Sequence, residues 1–149
     1  MIFIVAAHRP DGFLNVGPVV CFPISSHAWR YHDSYDRMVR LLDIAPYFTW
    51  RNFSVPQHDP AIADNDARLK AALDNQIRPV QVVLVLSGLY VANSGWIQYE
   101  INRAVSWNKP IVGVRPWGNE RMPEAVTTVA SRIVGWNTSS VVEAVRDLA

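Results

Sequence analysis

A single carboxylate between two tryptophans is the clearest candidate for chemistry in this sequence. Glu100 follows Trp96 by four residues and precedes Trp107 by seven, so on a helix the three side chains would share one flank. The core face of that helix would consist of Ile97, Ile101, Ala104 and Val105. A carboxylate at the boundary of a core can stabilise positive charge that develops in a bound substrate. On spacing alone, the alternative is a favourable charge near a helix start and two packing tryptophans.

Further candidates are the polar segments that follow the predicted strands. In parallel sheets covered by helices, ligands bind beyond the carboxyl ends of the strands. These segments are Ser25–Trp29, Ser54–Asp66, Ser87–Ser94 and Arg115–Asn119. Ordinary turn chemistry also explains a serine-rich turn such as Ser25-Ser26-His27.

Several kinds of site are excluded by missing motifs. The sequence has no Gly-x-x-x-x-Gly-Lys-Ser/Thr loop, Gly-x-Gly-x-x-Gly turn or Gly-x-Ser-x-Gly elbow, which argues against P-loop, Rossmann and hydrolase-nucleophile sites. The position where a phospho-acceptor domain needs an aspartate is occupied by Ser87. One cysteine and four scattered histidines provide no metal-ligand spacing, so we expect no metal.

The composition is that of one globular domain. The chain has 149 residues, of which 50% are hydrophobic and 18% charged, and its net charge is +1. So small a charge gives no broad field for nucleic acid or an anionic membrane. No apolar run approaches the ~18 residues of a membrane span, and the lone Cys21 fits a reducing compartment. We therefore expect a cytoplasmic protein with neither a nucleic-acid nor a membrane partner.

An alternation of strands and helices is predicted from Val19 to the end of the chain. The predicted strands are Val19–Ile24, Phe48–Val55, Val80–Leu86, Pro110–Val114 and Arg132–Trp136. The predicted helices contain Tyr35–Leu42, Leu69–Ile77, Asn93–Trp107, Met122–Ala130 and a last segment opened by a capping box, Ser140-Val-Val-Glu143. This alternation is typical of an α/β protein with a parallel sheet and helices on both faces. Residues 1–17 are predicted to be an extra strand or a loose extension, and residues 18–149 the domain proper.

The order of these segments resembles that of TIR domains. Ser94-x-Trp96-x-x-x-Glu100-Ile101, directly after an apolar third strand, is similar to the helix that carries the catalytic glutamate of NAD-cleaving members. Three further segments are similar to family motifs, which are Phe22-Pro-Ile-Ser-Ser26 in the first predicted strand, Trp50–Val55 in the second and Lys109–Val114 in the fourth. The sequence resembles most the TIR-like proteins that include the signal-generating TIR subunit of the Thoeris anti-phage system.

This resemblance covers about Val19–Ala149 and departs from the family pattern at Pro23, in Met1–Gly17 and in the loop Pro56–Asp66. It implies a flavodoxin-like, three-layer sandwich whose parallel sheet has five strands in the order 2-1-3-4-5.

The resemblance also implies an activity and a set of site residues. Glu100 would be the catalytic carboxylate of an NAD⁺ glycohydrolase or cyclase that needs no cofactor, with NAD⁺ itself as substrate. The residues expected to bind the substrate are Ser25, Ser26, His27, Ser54, Ser87, Gly88 and Trp96. Arg103 could pair with Glu100 or with a phosphate, or be a solvated surface residue.

Partners follow from the same resemblance. We expect self-association on activation and an effector protein that responds to an ADP-ribose or cyclic ADP-ribose product, in bacterial antiviral defence. Two alternatives stay open at this point. One is a non-enzymatic assembly module with an idle Glu100, and the other is a nucleoside deoxyribosyltransferase-like enzyme, which also uses a glutamate.

Overall fold

The computed structural model of the chain describes residues 3–7, 29–52, 66–86, 94–115 and 121–149. The strands are β1 (Phe3–Ala7), β2 (Trp50–Asn52), β3 (Val82–Leu86), β4 (Ile111–Val114) and β5 (Arg132–Val134). The helices are α1 (Trp29–Asp43), α2 (Asp66–Ile77), α3 (Ser94–Ser106), α4 (Glu124–Thr127) and α5 (Thr138–Leu148). From α1 onward the described elements alternate along the chain as the apolar pattern predicts.

The strands form one mixed sheet in the order β2-β1-β3-β4-β5. Strands β3, β4 and β5 are parallel, with Val83 opposite Ile111 and Leu86 opposite Val114. Strand β1 is antiparallel to both of its neighbours, so the prediction of a sheet that is parallel throughout is wrong at these two pairs. An apolar strand can pair in either direction, and its residues do not encode which one it takes.

Strand β1 belongs to the N-terminal segment Met1–Gly17, for which a strand was one of the two predicted alternatives. The strand predicted to come first in the domain, Val19–Ile24, lies outside the described residues. The place between β2 and β3 that was predicted for Val19–Ile24 is taken by Phe3–Ala7 in the described sheet, so the predicted five-strand order is not confirmed.

The core is centred on β3, whose five residues are all buried. Successive side chains of a strand point to opposite faces of the sheet, so both faces are covered here, as expected of a central strand in a parallel region. The helices supply further fully buried side chains, which are Met38, Leu42, Ile77, Ile97, Ile101, Ala104, Val126, Val141, Ala144 and Val145. Helix α2 packs beside α3, and α1 packs beside α5.

Helix α3 ends at a well-formed C-cap. The amide of Asn108 donates to the carbonyl of Val105, and the amide of Lys109 donates to the carbonyl of Ala104 at 2.8 Å. This is the Schellman pattern, which needs a left-handed residue after the helix. Asn108 takes that role with φ 56°, so the cap fixes where α3 stops and β4 can begin.

The start of α5 differs from the prediction. Its N-cap is Asn137, whose side chain accepts a hydrogen bond from the amide of Ser140 at 2.9 Å. Ser140 therefore lies in the first turn of the helix, and the predicted capping box at Ser140–Glu143 is wrong. The Asn137 side chain offers an acceptor three residues earlier, and it caps the amide of Ser140 in place of the amide of Glu143. The predicted inward residues Val141, Val142 and Val145 are buried, and Leu148 packs against the core partly exposed.

Glycine in β4 allows α4 to approach the sheet closely. A Cβ atom added at Gly113 would lie 3.2 Å from the side chains of both Met122 and Val126. Among the described residues, no helix is both long and apolar enough to cross a membrane.

Candidate functional site

Helix α3 begins at the carboxyl edge of the parallel strands. Strand β3 ends at Leu86 and α3 starts at Ser94, so the N-terminus of the helix lies where α/β sheets bind ligands. Glu100 is six residues into the helix, about 9 Å along its axis from Ser94. It is therefore in the second turn, close to the predicted ligand edge.

Glu100 is buried, with 5% of its surface exposed. Among the residues whose burial the structure describes, it is the only polar or charged one that is buried. Its neighbours on the helix, Ile97 and Ile101, are fully buried. Burying a carboxylate costs free energy that an apolar side chain in the same place would not cost. A carboxylate at such a position is a candidate functional group on physical grounds.

Helices α2 and α3 face each other through a polar ladder. Its rungs are spaced four residues apart, with Lys70 and Asp74 on α2 and Tyr99 and Arg103 on α3. The last rung consists of Arg78 and Trp107, each of which directly follows the end of its helix. Arg103 Nε donates to Asp74 Oδ1 at 2.8 Å, and its guanidinium forms an ion pair with the other carboxylate oxygen. The Tyr99 hydroxyl also donates to Asp74 Oδ1, at 2.9 Å. Asp74 therefore ties two successive turns of α3 to α2.

Cations cover both aromatic rings of this ladder. The Arg103 guanidinium lies 5.2 Å from the ring centre of Trp107, and that of Arg78 lies 5.6 Å from the same ring. Lys70 Nζ is 5.9 Å from the ring centre of Tyr99. These distances are within the range of cation–π attraction. The ladder thus combines ionic, hydrogen-bonding and cation–π contacts along the whole α2–α3 boundary.

Arg103 forms an ion pair between two helices that was not among the roles predicted for it. It pairs with Asp74, a residue of α2, and 38% of its side chain is exposed. Its described side-chain hydrogen bonds are with Asp74 and Tyr99 and not with Glu100, so it is not a freely solvated arginine. The prediction missed Asp74 because the two residues are 29 positions apart. The matching four-residue spacing on two neighbouring helices was the signal that could have found the pair.

The pKa of Asp74 is lowered, chiefly by its hydrogen bond from Arg103 and further by the bond from Tyr99. The pKa of Arg103 is raised in turn, mainly by the same bond to Asp74. Because the folded pKa of Asp74 lies below its unfolded value of about 3.9, the pair contributes its full stability above that pH. The contribution decreases as the pH falls through the folded pKa.

This linkage predicts an acid-dependent stability for Asp74→Asn. The variant should melt at a lower temperature than the wild type at pH 7, and the difference should shrink below about pH 4, where the wild-type carboxylate takes up its proton. Thermal melts followed by circular dichroism between pH 7 and pH 2.5 measure it. Asp147→Asn is the control, because its ion pair with Arg132 is more exposed, at 50% and 42% of the two side chains. A difference in melting temperature that stays constant with pH would contradict the assignment.

Most of the predicted substrate-binding residues lie outside the described residues. These are Ser25, Ser26, His27, Ser54, Ser87 and Gly88. Trp96 is in the first turn of α3, but its side chain is also outside what is described. The approach of all seven residues to Glu100 therefore stays a prediction. Within residues 3–7, 29–52, 66–86, 94–115 and 121–149, no group of histidine, cysteine and acidic side chains could hold a metal ion.

The family of the chain is shown by its sequence. The profile of the family described as Thoeris protein ThsB, TIR-like domain, matches residues 24–121, about two thirds of the chain. The protein belongs to this family. The matched region runs from before α1 to just past β4, and it includes both Glu100 and the α2–α3 ladder. No curated protein sequence matches the chain.

Membership of the ThsB TIR-like family agrees with the parallel β3–β4–β5 region and the flanking helices. It also places the motif Trp96-x-x-x-Glu100 inside a domain of the expected kind. The described N-terminal strand β1 lies before the matched region.

Proposed function

We propose that this member of the ThsB TIR-like family cleaves NAD⁺ at the bond between nicotinamide and ribose, with Glu100 as the catalytic carboxylate. The observation that carries the proposal is the burial of Glu100 on α3, next to the carboxyl edge of the parallel strands and inside the family match. Among the residues with described burial, the core contains a polar side chain only there.

The chemistry needs one carboxylate. The nicotinamide of NAD⁺ is already cationic, so when its bond to the ribose C1′ breaks, the electron pair leaves with the ring nitrogen and no general acid is required. Positive charge then develops on the ribose, as in glycoside cleavage. A carboxylate held in a largely water-excluded position stabilises that charge more strongly than one in water.

The product depends on which nucleophile reaches C1′. Water gives ADP-ribose and releases a proton, whereas a nucleophilic atom of the same molecule gives a cyclic ADP-ribose. Either product can diffuse to a separate effector protein. A role in bacterial antiviral defence, activation by self-association, and a cytoplasmic location where NAD⁺ is available complete the proposal.

The substrate contacts belong to the proposal as well. Backbone amides and the small polar residues Ser25, Ser26 and His27 would hold the pyrophosphate or ribose, because the net charge of +1 provides no broad basic field. Ser54, Ser87 and Gly88 would cover the substrate, and Trp96 would stack on a base or on nicotinamide.

The test is incubation of the purified protein with NAD⁺, followed by chromatography of the nucleotides. We expect nicotinamide together with ADP-ribose or a cyclic isomer, in plain buffer or after the protein is concentrated or exposed to extract from infected cells. No nicotinamide release under all three conditions would refute the activity and favour an assembly module. Exchange of deoxyribose between bases would identify a deoxyribosyltransferase instead.

A further inference from the structure

We infer that Asp74, Arg103 and Tyr99 are positioning residues that hold α3 in the rotational setting that keeps Glu100 buried. The effect on activity that this inference predicts rests on the proposed role of Glu100. The three residues act through the helix backbone, because their side-chain contacts join α2 to α3.

The first step is a comparison of two residues on α3. At about 100° per residue, Glu100 and Val105 each lie about 70° from the centre of the stripe formed by Ile97, Ile101 and Ala104, on opposite flanks. At equal angles, the polarity of the two side chains would favour exposure of the carboxylate and burial of the valine. The structure does the reverse, with Glu100 5% exposed and Val105 48% exposed.

The second step is the position of α2. Of the two residues that bind α2, Arg103 lies about 60° from Glu100 around the helix axis, on the side away from Val105. Tyr99 lies about 40° beyond Arg103, almost opposite the core stripe. Their contacts to Asp74 therefore bring α2 against the flank that carries Glu100. On the opposite flank Val105 is 48% exposed, so the described part of the chain covers it far less than Glu100.

The third step is the rigidity of the contact. Asp74 receives hydrogen bonds from two residues four positions apart, and Arg103 Nε also contacts the Tyr99 hydroxyl at 3.2 Å. Contacts at two turns resist rotation of α3 about its axis, which a single contact would not. The pair is only partly exposed, at 38% for Arg103 and 19% for Asp74. A displacement of about 1 Å at a reacting group can cost about 100-fold in rate.

The activity experiment uses Asp74→Asn and Asp74→Ala with the full-length chain. We expect kcat for NAD⁺ cleavage to fall by about 10- to 100-fold while KM changes by less than about 3-fold, because substrate contacts stay and the reacting group moves. Asp74→Glu, which can still accept from Arg103, should recover most of kcat. The control is Arg132→Ala, which removes the surface ion pair between Arg132 and Asp147 and should leave both constants unchanged.

A second measurement does not depend on activity. Carbodiimide couples an amine to accessible carboxylates, and peptide mass spectrometry measures the rate for each residue. We expect slow labelling of Glu100 in the wild type. In Asp74→Asn the rate should be at least about 5-fold higher, because the buried carboxylate becomes partly exposed. Exposed Glu143 provides the internal reference, and circular dichroism selects variants that fold.

Unchanged Glu100 labelling in a folded Asp74→Asn variant would overturn the inference whatever the activity. Faster labelling in a protein that never cleaves NAD⁺ would support the positioning of Glu100 and refute the proposed function, so the two failures are distinguishable. Faster labelling with unchanged kcat in an active enzyme would overturn the link between burial and catalysis.

Discussion

Glu100→Gln is expected to lower NAD⁺ cleavage by about 100- to 1,000-fold, the cost of removing one preorganised electrostatic group from a transition state. Glutamine keeps the shape of glutamate and loses the negative charge, so binding of NAD⁺ should change little. The loss should therefore fall on kcat. Chromatographic rates at saturating NAD⁺ measure it.

The same substitution should not destabilise the protein. Glu100 is buried beside Ile97 and Ile101, and a neutral amide in that position avoids much of the cost of burying a charge. We expect the melting temperature of Glu100→Gln to equal or exceed that of the wild type, as is common when a functional charge is removed from a core.

The matched control for Glu100→Gln is Glu143→Gln on the exposed side of α5, which makes the same chemical change away from α3. It should leave rate and melting temperature within error of the wild type. Full activity in Glu100→Gln would contradict the proposed mechanism. A large drop in its melting temperature would mean that the carboxylate serves the fold.

The pattern of apolar residues predicted the described helices and strands well, because the burial of apolar side chains decides where these elements form. Continuous apolar residues predict a strand covered on both faces, and Val82–Leu86 is buried along its whole length. The inward set of α5, Val141, Val142 and Val145, follows from helical spacing and is buried. These predictions needed only the period of the pattern and the hydrophobic effect.

Features that depend on contacts between distant segments were not predicted. The direction of β1 is set by its partners, since an apolar segment pairs either way. Val105 was predicted to face the core and is 48% exposed, because helical spacing does not say which flank a neighbouring helix covers. The cap of α5 depends on a local choice between two acceptors, Asn137 and Ser140, and the earlier one forms the bond.

The candidate site also combines features that the sequence predicts with features that depend on contacts between distant segments. The sequence motif identified Glu100, and its position at a core boundary came from helical spacing. The burial of Glu100 could not be predicted, because this burial depends on Asp74 of α2 and on the bonds of Asp74 to Tyr99 and Arg103. The substrate-binding roles of residues such as Ser25 and Ser87 remain predictions from the order of the motifs.

The largest expected effect on stability is that of Ile101→Ala, next to Glu100 on α3. Ile101 is fully buried, so the substitution removes three carbon atoms from the core and leaves a cavity. Such changes cost about 2–5 kcal/mol. For a domain of this size, that corresponds to a melting temperature lower by about 5–15 °C, which calorimetry or circular dichroism would measure.

Val105→Ala tests what sets the loss of stability in Ile101→Ala. The loss should come from the burial of the side chain by α2 and the sheet, and not from its location on α3. Val105 is four residues further along the same helix and 48% exposed, and alanine is the better helix former of the two. We expect a change within about 0.5 kcal/mol, as at other surface positions. Equal losses from the two substitutions would mean that both flanks of α3 are covered in solution. The asymmetry that keeps Glu100 buried and Val105 exposed would then need another explanation than the ladder between α2 and α3.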